Sequence, residues 1–192
     1  RLKVAIPSLQ LIGEVAQWYD AKVQRDTEIM ESIDTPLPIE GLHEYQQKGV
    51  NFIRTARRCI VSDERGLGKT IQGLYGTIGA SNILGVVPAY LCRQWEQEIA
   101  KWGIIRHKVF CIVGDKKHKL SVLAEAMQYT DKKIVLVPYQ TLSIPDYYDL
   151  LRHKWQALFC DEAHRIGNRK ANCKTDRIRV NADGSKRNWQ SN

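Results

Sequence analysis

The chain has 192 residues, of which 43% are apolar and 26% charged, with a formal net charge of +8. That length suits one domain, or one domain with a tail, and the apolar share is enough for a core. No run approaches the ~20 apolar residues of a membrane-spanning helix, which argues against a membrane-embedded protein.

The charge is uneven. Residues 165–192 hold eight Lys/Arg against two Asp/Glu, while the remainder holds 21 against 19. A basic excess suits an acidic partner such as nucleic acid, but the body alone does not make that case, and a charged tail is more often simply solvated. The five cysteines (Cys59, Cys92, Cys111, Cys160, Cys173) form no C-x-x-C pair. They read as buried reduced thiols in a cytoplasmic or nuclear protein rather than as disulfides or zinc ligands. Residues 1–12 lack the pattern of a secretory signal, and the chain opens at Arg1, so a fragment or processed product is expected.

In chain order, residues 1–41 read as an entry segment. Leu2–Ile6 suits a short strand, and Ser8 suits the cap of a helix through Leu11, Val15, Trp18, Val23 and Ile29. Thr35-Pro36-Leu37-Pro38 reads as a linker. Leu42–Ala56 has helical spacing at Leu42, Tyr45, Val50 and Ile53. Five apolar runs follow at nearly even intervals: Cys59–Ser62, Ile83–Val87, Val109–Val113, Lys133–Val137 and Ala157–Cys160. Helical patterns lie between them at Thr70–Ala80, Leu91–Trp102, Leu120–Tyr129 and Asp146–Lys154. The alternation predicts an α/β fold, a mostly parallel sheet with helices on both faces. Ligands in such sheets sit at the carboxyl ends of the strands. The expected domains are an N-terminal helical entry segment (1–41), a nucleotide-binding lobe (42–170) and a basic polar tail (171–192), the last expected to be mobile.

Two stretches carry chemistry. The first is Ser62-Asp63-Glu64-Arg65-Gly66-Leu67-Gly68-Lys69-Thr70-Ile71-Gln72. Gly66 and Gly68 allow a tight turn whose N–H groups converge on phosphate oxygens, and the helix that follows adds the positive end of its dipole. Lys69 suits the terminal phosphates, and the Thr70 hydroxyl suits Mg²⁺. The fit to the generic phosphate-loop pattern is imperfect, because Asp63 stands where that pattern has Gly. The second stretch is Ala157-Leu158-Phe159-Cys160-Asp161-Glu162-Ala163-His164, an apolar strand ending in two carboxylates. An Asp to hold a metal and a Glu to activate water are what the first loop lacks.

Taken together, several stretches resemble the first motor lobe of the Swi/Snf-type ATPases of helicase superfamily two. Gly41–Ile53 is similar to the segment preceding the phosphate loop. Ser62–Gln72, Asp63-Glu64 included, is close to motif I. Val86-Val87-Pro88-Ala89 with Gln94–Ile99 resembles motif Ia, Val137–Leu142 resembles motif Ib, and Asp161–Arg165 with Asn168 resembles motif II. The likeness covers about residues 41–170. It implies a RecA-like phosphate-loop NTPase lobe with ATP and Mg²⁺ as cofactors. Asp63, Glu64, Gly66, Leu67, Gly68, Lys69 and Thr70 would form the nucleotide-binding set, and Gln46 would read the adenine edge. Thr70 and Asp161 would hold Mg²⁺, Glu162 would polarise the attacking water with Lys69 as the other catalytic group, and His164 would sense nucleotide state. Motifs Ia and Ib would touch a double-stranded DNA backbone, with Thr141 among the hydroxyls.

The sequence departs from the family at Arg65 and Gly167. It also lacks a Ser/Thr-Gly-Thr-Pro motif III and a second RecA-like lobe with arginine fingers, so a partner lobe is expected. The Asp-Glu-Ala-His box alone would equally suit an RNA helicase or a restriction-enzyme motor, and the isolated chain could be a non-catalytic binding module. Without the resemblance Gln46 reads as a solvated side chain, and Trp95 and Trp102 as packing residues. His43, His107, His118 and His153 read as surface residues, Lys116–Lys119 as a solvated loop, and Tyr147 and Tyr148 as a packed helix face.

Overall fold

The computed structural model describes residues 13–64, 66–77, 79–102 and 106–164. The entry strand at Leu2–Ile6, the Ser8 cap, the Asn168 match and the basic tail lie outside these residues. The chain divides into two compact units, Arg1–Gly76 and Thr77–Asn192. The boundary falls within the 42–170 range expected for one lobe.

The described part of the first unit is helical. Helix α1 spans Gly13–Asp34, α2 spans Glu44–Ala56 and α3 spans Lys69–Gly76. Pro36 and Pro38 lie in the non-helical link between α1 and α2. Side chains of α2 hold that link: Asn51 Nδ2 donates to Thr35 O at 2.9 Å, and Gln47 Nε2 donates to Ile39 O and Leu42 O at 3.1 and 3.0 Å. Val50 from α2 and Ile71 and Leu74 from α3 are buried. The two helices approach closely because glycine stands at the contact. A Cβ on Gly49 would lie 1.9 Å from Gln72 Oε1, and one on Gly76 would lie 2.5 Å from Ile53 Cγ2. Helix α1 leaves Val15, Trp18, Val23 and Met30 exposed, in keeping with its loose apolar spacing.

Cys59–Ser62 forms no strand. Its apolar core is three residues long, Ile60 is 83% exposed, and the first unit offers no strand to pair with among its described residues. A parallel strand needs neighbours to satisfy its N–H and C=O groups, and length alone does not supply them.

The second unit carries the sheet. Strands β1 (Asn82–Val87), β2 (Lys108–Cys111), β3 (Lys133–Pro138) and β4 (Ala157–Cys160) lie in the order β2-β3-β1-β4, all parallel. This is the α/β, mostly parallel sheet that the alternation predicts. Helices α4 (Cys92–Trp102) and α5 (Lys116–Gln128) complete the β1-α4-β2 and β2-α5-β3 crossovers. The turn α6 (Tyr139–Leu142) and the short α7 (Asp149–Arg152) lead to β4, so the Asp146–Lys154 helix is broken into a 3-10 turn at Pro145–Tyr147 and α7.

Central strands β1 and β3 are buried on both faces, which explains their continuous runs of Val, Leu and Ile. One face of the sheet presents Leu84, Val86, Val135, Val137 and Phe110 to Leu123, Ala126, Leu142, Tyr147 and Leu150. The opposite face carries Gly85 and Phe159, with Trp95 of α4 stacked on Phe159 at 4.5 Å. Gly85 leaves room for that layer: a Cβ there would lie 2.3 Å from Phe159 Cζ and 2.7 Å from Leu136 Cδ2.

Candidate nucleotide-binding and catalytic residues

The phosphate-loop candidate is a turn held by its own main chain. Gly66 and Gly68 sit at φ 86° and 76°, left-handed positions that suit glycine. Their freedom lets Lys69, the first residue of α3, fold back. Its Nζ donates to Asp63 O and Glu64 O, both at 2.8 Å. Gln72, one turn further and fully buried, donates from Nε2 to Asp63 Oδ2 at 3.0 Å, closing the loop onto α3. The sequence alone assigns Gln72 no role. Its signal was its place one helical turn after Lys69, on the face that looks back at the loop.

Gln46 ties this loop to α2. Its Oε1 accepts from His43 N at 3.1 Å, the reciprocal contact of a helix start, and its Nε2 donates to Leu67 O at 3.3 Å. Gly68 leaves space for it, since a Cβ there would lie 2.4 Å from Gln46 Nε2. Gln46 is therefore half-buried and bonded at both ends of its amide rather than solvated. Each of these atoms makes one of these two bonds and has a second N–H or lone pair that could meet an adenine edge with both bonds kept.

In the second unit, β4 delivers Asp161 and Glu162 beyond its carboxyl end. Asp161 is held at four atoms. Its N donates to Val86 O at 2.9 Å and its O accepts from Tyr139 Oη at 2.6 Å. Its Oδ2 accepts from Trp95 Nε1 at 2.8 Å and its Oδ1 from Glu162 N at 2.9 Å. Glu162 sits at φ 52°, a left-handed conformation rare for a non-glycine residue. Its Oε2 lies 3.2 Å from His164 Nδ1.

The expectation that Trp95 packs is borne out, and it is 5% exposed. What spacing could not reveal is that its indole meets a carboxylate 66 residues later. Trp102 instead donates to Glu98 Oε2 within its own helix, at 2.9 Å. Thr141 differs from expectation. It is 3% exposed, because the single turn α6 directs Tyr139, Thr141 and Leu142 inward, so its hydroxyl is not offered at the surface.

Lys116–Lys119 form the first turn of α5 rather than a loop, capped by Asp115 Oδ1 on His118 N at 2.8 Å. Lys116 pairs with Asp146 at 2.8 Å. Tyr147 is buried as expected, at 1%. Of the histidines, His43 and His118 are exposed, whereas His107 and His153 are half-buried.

The cysteines depart from a uniformly buried set. Cys92 is buried, Cys111 and Cys160 are half-buried and Cys59 is exposed, all as free thiols. Burial pushes the Cys92 thiol up to about 11 and the Cys111 thiol to about 12, with the nearby Glu96 carboxylate adding to both.

The Asp161 carboxylate suits the chemistry of Mg²⁺. Among the described residues no three His, Cys, Asp or Glu side chains cluster into a protein cage. Mg²⁺ prefers hard oxygens, keeps several waters and leans on substrate phosphates, so a single carboxylate such as Asp161 is a donor of the kind it takes. Each Asp161 oxygen accepts one described protein hydrogen bond, which leaves lone pairs for a metal or its waters.

The SNF2-related domain family matches residues 45–187. The chain belongs to this family of Swi/Snf-type ATPase motors. It is 30% identical over 167 residues to the CHD3-type chromatin-remodeling factor PICKLE of Arabidopsis thaliana, covering 70% of this chain and 12% of that protein. Human SWI/SNF-related matrix-associated actin-dependent regulator of chromatin subfamily A member 1 is 28% identical over 151 residues, covering 71% of this chain and 14% of that protein. Human DNA repair and recombination protein RAD54B is 27% identical over 162 residues, covering 73% and 17%. This SNF2-family chain thus spans less than a fifth of each of these three relatives. Their names join chromatin remodelling with DNA repair, so the family is one of motors that work on chromatin and DNA. Among the described residues no helix is long and apolar enough to cross a membrane.

Proposed function

We propose that this chain is the ATP-binding lobe of a motor that translocates on double-stranded DNA, hydrolysing ATP when joined to a second RecA-like lobe. The observation that carries the reading is the loop at Asp63–Thr70. A lysine ammonium sits inside a two-glycine turn, held among the described residues by main-chain carbonyls, at the start of a helix. Phosphate oxygens can take the place of those carbonyls as acceptors for Lys69, and the first N–H groups of α3 add donors and the dipole.

In this reading Thr70 and Asp161 hold Mg²⁺, which offsets charge on the phosphates when bound. Glu162 accepts a proton from, or orients, the attacking water. Its backbone is fixed for that task by its N–H bond to Asp161 Oδ1 and its left-handed φ. His164 would respond when that carboxylate changes partner, a role supported by its 3.2 Å approach to Glu162 Oε2. Gln46 joins the adenine edge to the loop through its contact with Leu67. A nuclear or cytoplasmic setting goes with this reading.

The isolated chain is expected to turn over weakly at most, since phosphoryl-transfer enzymes without their arginine fingers lose about 10³–10⁵ in rate. The experiment is to compare stimulation of ATP hydrolysis by duplex DNA and by RNA in the intact motor. Stimulation by duplex DNA supports a DNA translocase. Stimulation by RNA alone would favour an RNA helicase and overturn the DNA reading.

A further inference from the structure

Asp161 is the most heavily held residue among the candidates, and its holders come from far along the chain. Trp95 reaches it from α4 and Tyr139 from the start of α6, 66 and 22 residues away. We infer that Trp95 and Tyr139 are positioning residues that aim the Asp161 carboxylate for metal binding. This rests on the reading of Asp161 as a Mg²⁺ ligand.

The geometry divides the work. Tyr139 Oη donates to the main-chain oxygen of Asp161 at 2.6 Å, and Val86 O accepts from its N–H at 2.9 Å, so the backbone at the end of β4 is fixed from the neighbouring strand β1 and from the first residue of α6. Trp95 Nε1 and Glu162 N then take one lone pair on each carboxylate oxygen, which sets the side-chain torsion. Trp95 cannot drift. It is 5% exposed and its ring lies on Phe159, itself seated over Gly85. An indole offers one donor and no acceptor, so its only polar use here is to point at Oδ2. A carboxylate locked in this way needs less ordering when a metal arrives, and removing such a partner typically weakens metal binding by about 10- to 100-fold.

The test uses the 192-residue chain and its variants Trp95→Phe, Tyr139→Phe, Trp102→Phe and Asp161→Ala. The first readout is Mn²⁺ binding in the presence of a non-hydrolysable ATP analogue, followed by electron paramagnetic resonance. The second is the indole N–H resonance of Trp95 in metal-free protein, identified by its loss in Trp95→Phe. Trp95→Phe should raise the half-saturating Mn²⁺ concentration about 10- to 100-fold, Tyr139→Phe should raise it less, and Trp102→Phe should leave it unchanged. The Trp95 resonance should move and lose exchange protection in Asp161→Ala.

If Asp161→Ala abolishes metal binding while Trp95→Phe lowers only the melting temperature, the positioning role is overturned and the metal reading stands. An unmoved Trp95 resonance in Asp161→Ala overturns the bond itself. If Asp161→Ala binds Mn²⁺ like the wild type, or the wild type binds none, the metal reading fails and the positioning role falls with it.

Discussion

The phosphate loop and the Asp161 corner solve the same problem in opposite ways. In the loop, Lys69 is held by carbonyls five and six residues away, and Gln72 closes onto an Asp nine residues away. At the corner, Asp161 is held by side chains 22 and 66 residues away. The loop is thus a local object, specified by residue types at short spacing. The corner is a tertiary object that exists only once β1, β3, β4 and α4 have assembled. Sequence reading should find the first and miss the supports of the second, and mutations should act locally in one and through the sheet in the other.

The largest expected effect lies at the corner. Glu162→Gln keeps the shape of the side chain but removes its basicity. It should leave nucleotide binding in place and lower turnover of the intact motor by about 10²–10⁴-fold, read by steady-state ATP hydrolysis. Unchanged turnover would remove Glu162 from the chemistry.

Two glycine substitutions sharpen the contrast. Gly85→Ala drives a methyl group into Phe159 and Leu136 and so disturbs the layer beneath Trp95. It should cost about 1–3 kcal/mol in urea unfolding, as overpacked cores do. Gly66→Ala meets nothing within 4 Å, so its penalty is the left-handed backbone at φ 86° alone. That should be about 1–2 kcal/mol, with no change around Trp95. A Gly66→Ala variant that perturbs the Trp95 resonance would break the claim that the loop is local.

The smallest effect is a pH slope in the second unit. Burial first, and then the charge of Lys133, hold His153 below its ordinary 6.5. Its Nε2 is buried with no hydrogen-bond partner among the described residues. The unfolded chain takes up that proton more readily than the folded one. Stability that is fully present above pH 6.5 is therefore lost as the pH falls through that value and on toward the lower folded one. His153→Gln should flatten this acid slope in thermal melts run between about pH 8 and pH 5.

Much of this was legible because the signals were local. The continuous apolar runs at Asn82–Val87 and Lys133–Pro138 are strands buried on both faces, and such runs have few other uses at that length. Cys59–Ser62 carried a similar but shorter run, and a run says nothing about whether a neighbouring strand is available. The helix at Lys116–Gln128 begins earlier than its apolar pattern because Asp115 caps a turn made mostly of lysines, a cap that outweighs their unfavourable dipole placement. Trp95 was legible as a packed residue, because helical spacing reports burial. Its bond to Asp161 was not, because no periodicity encodes which strand end an indole N–H will meet.

The central claim is that Asp63–Thr70 forms a phosphate site whose key donor is Lys69. It is tested most directly by titrating a fluorescent ATP analogue with Mg²⁺ into the wild-type chain and into Lys69→Ala. Loss of a charge-assisted hydrogen bond should weaken binding roughly 10- to 100-fold in the variant. Equal, saturable binding by both proteins would contradict the assignment of Lys69 and of the loop built around it.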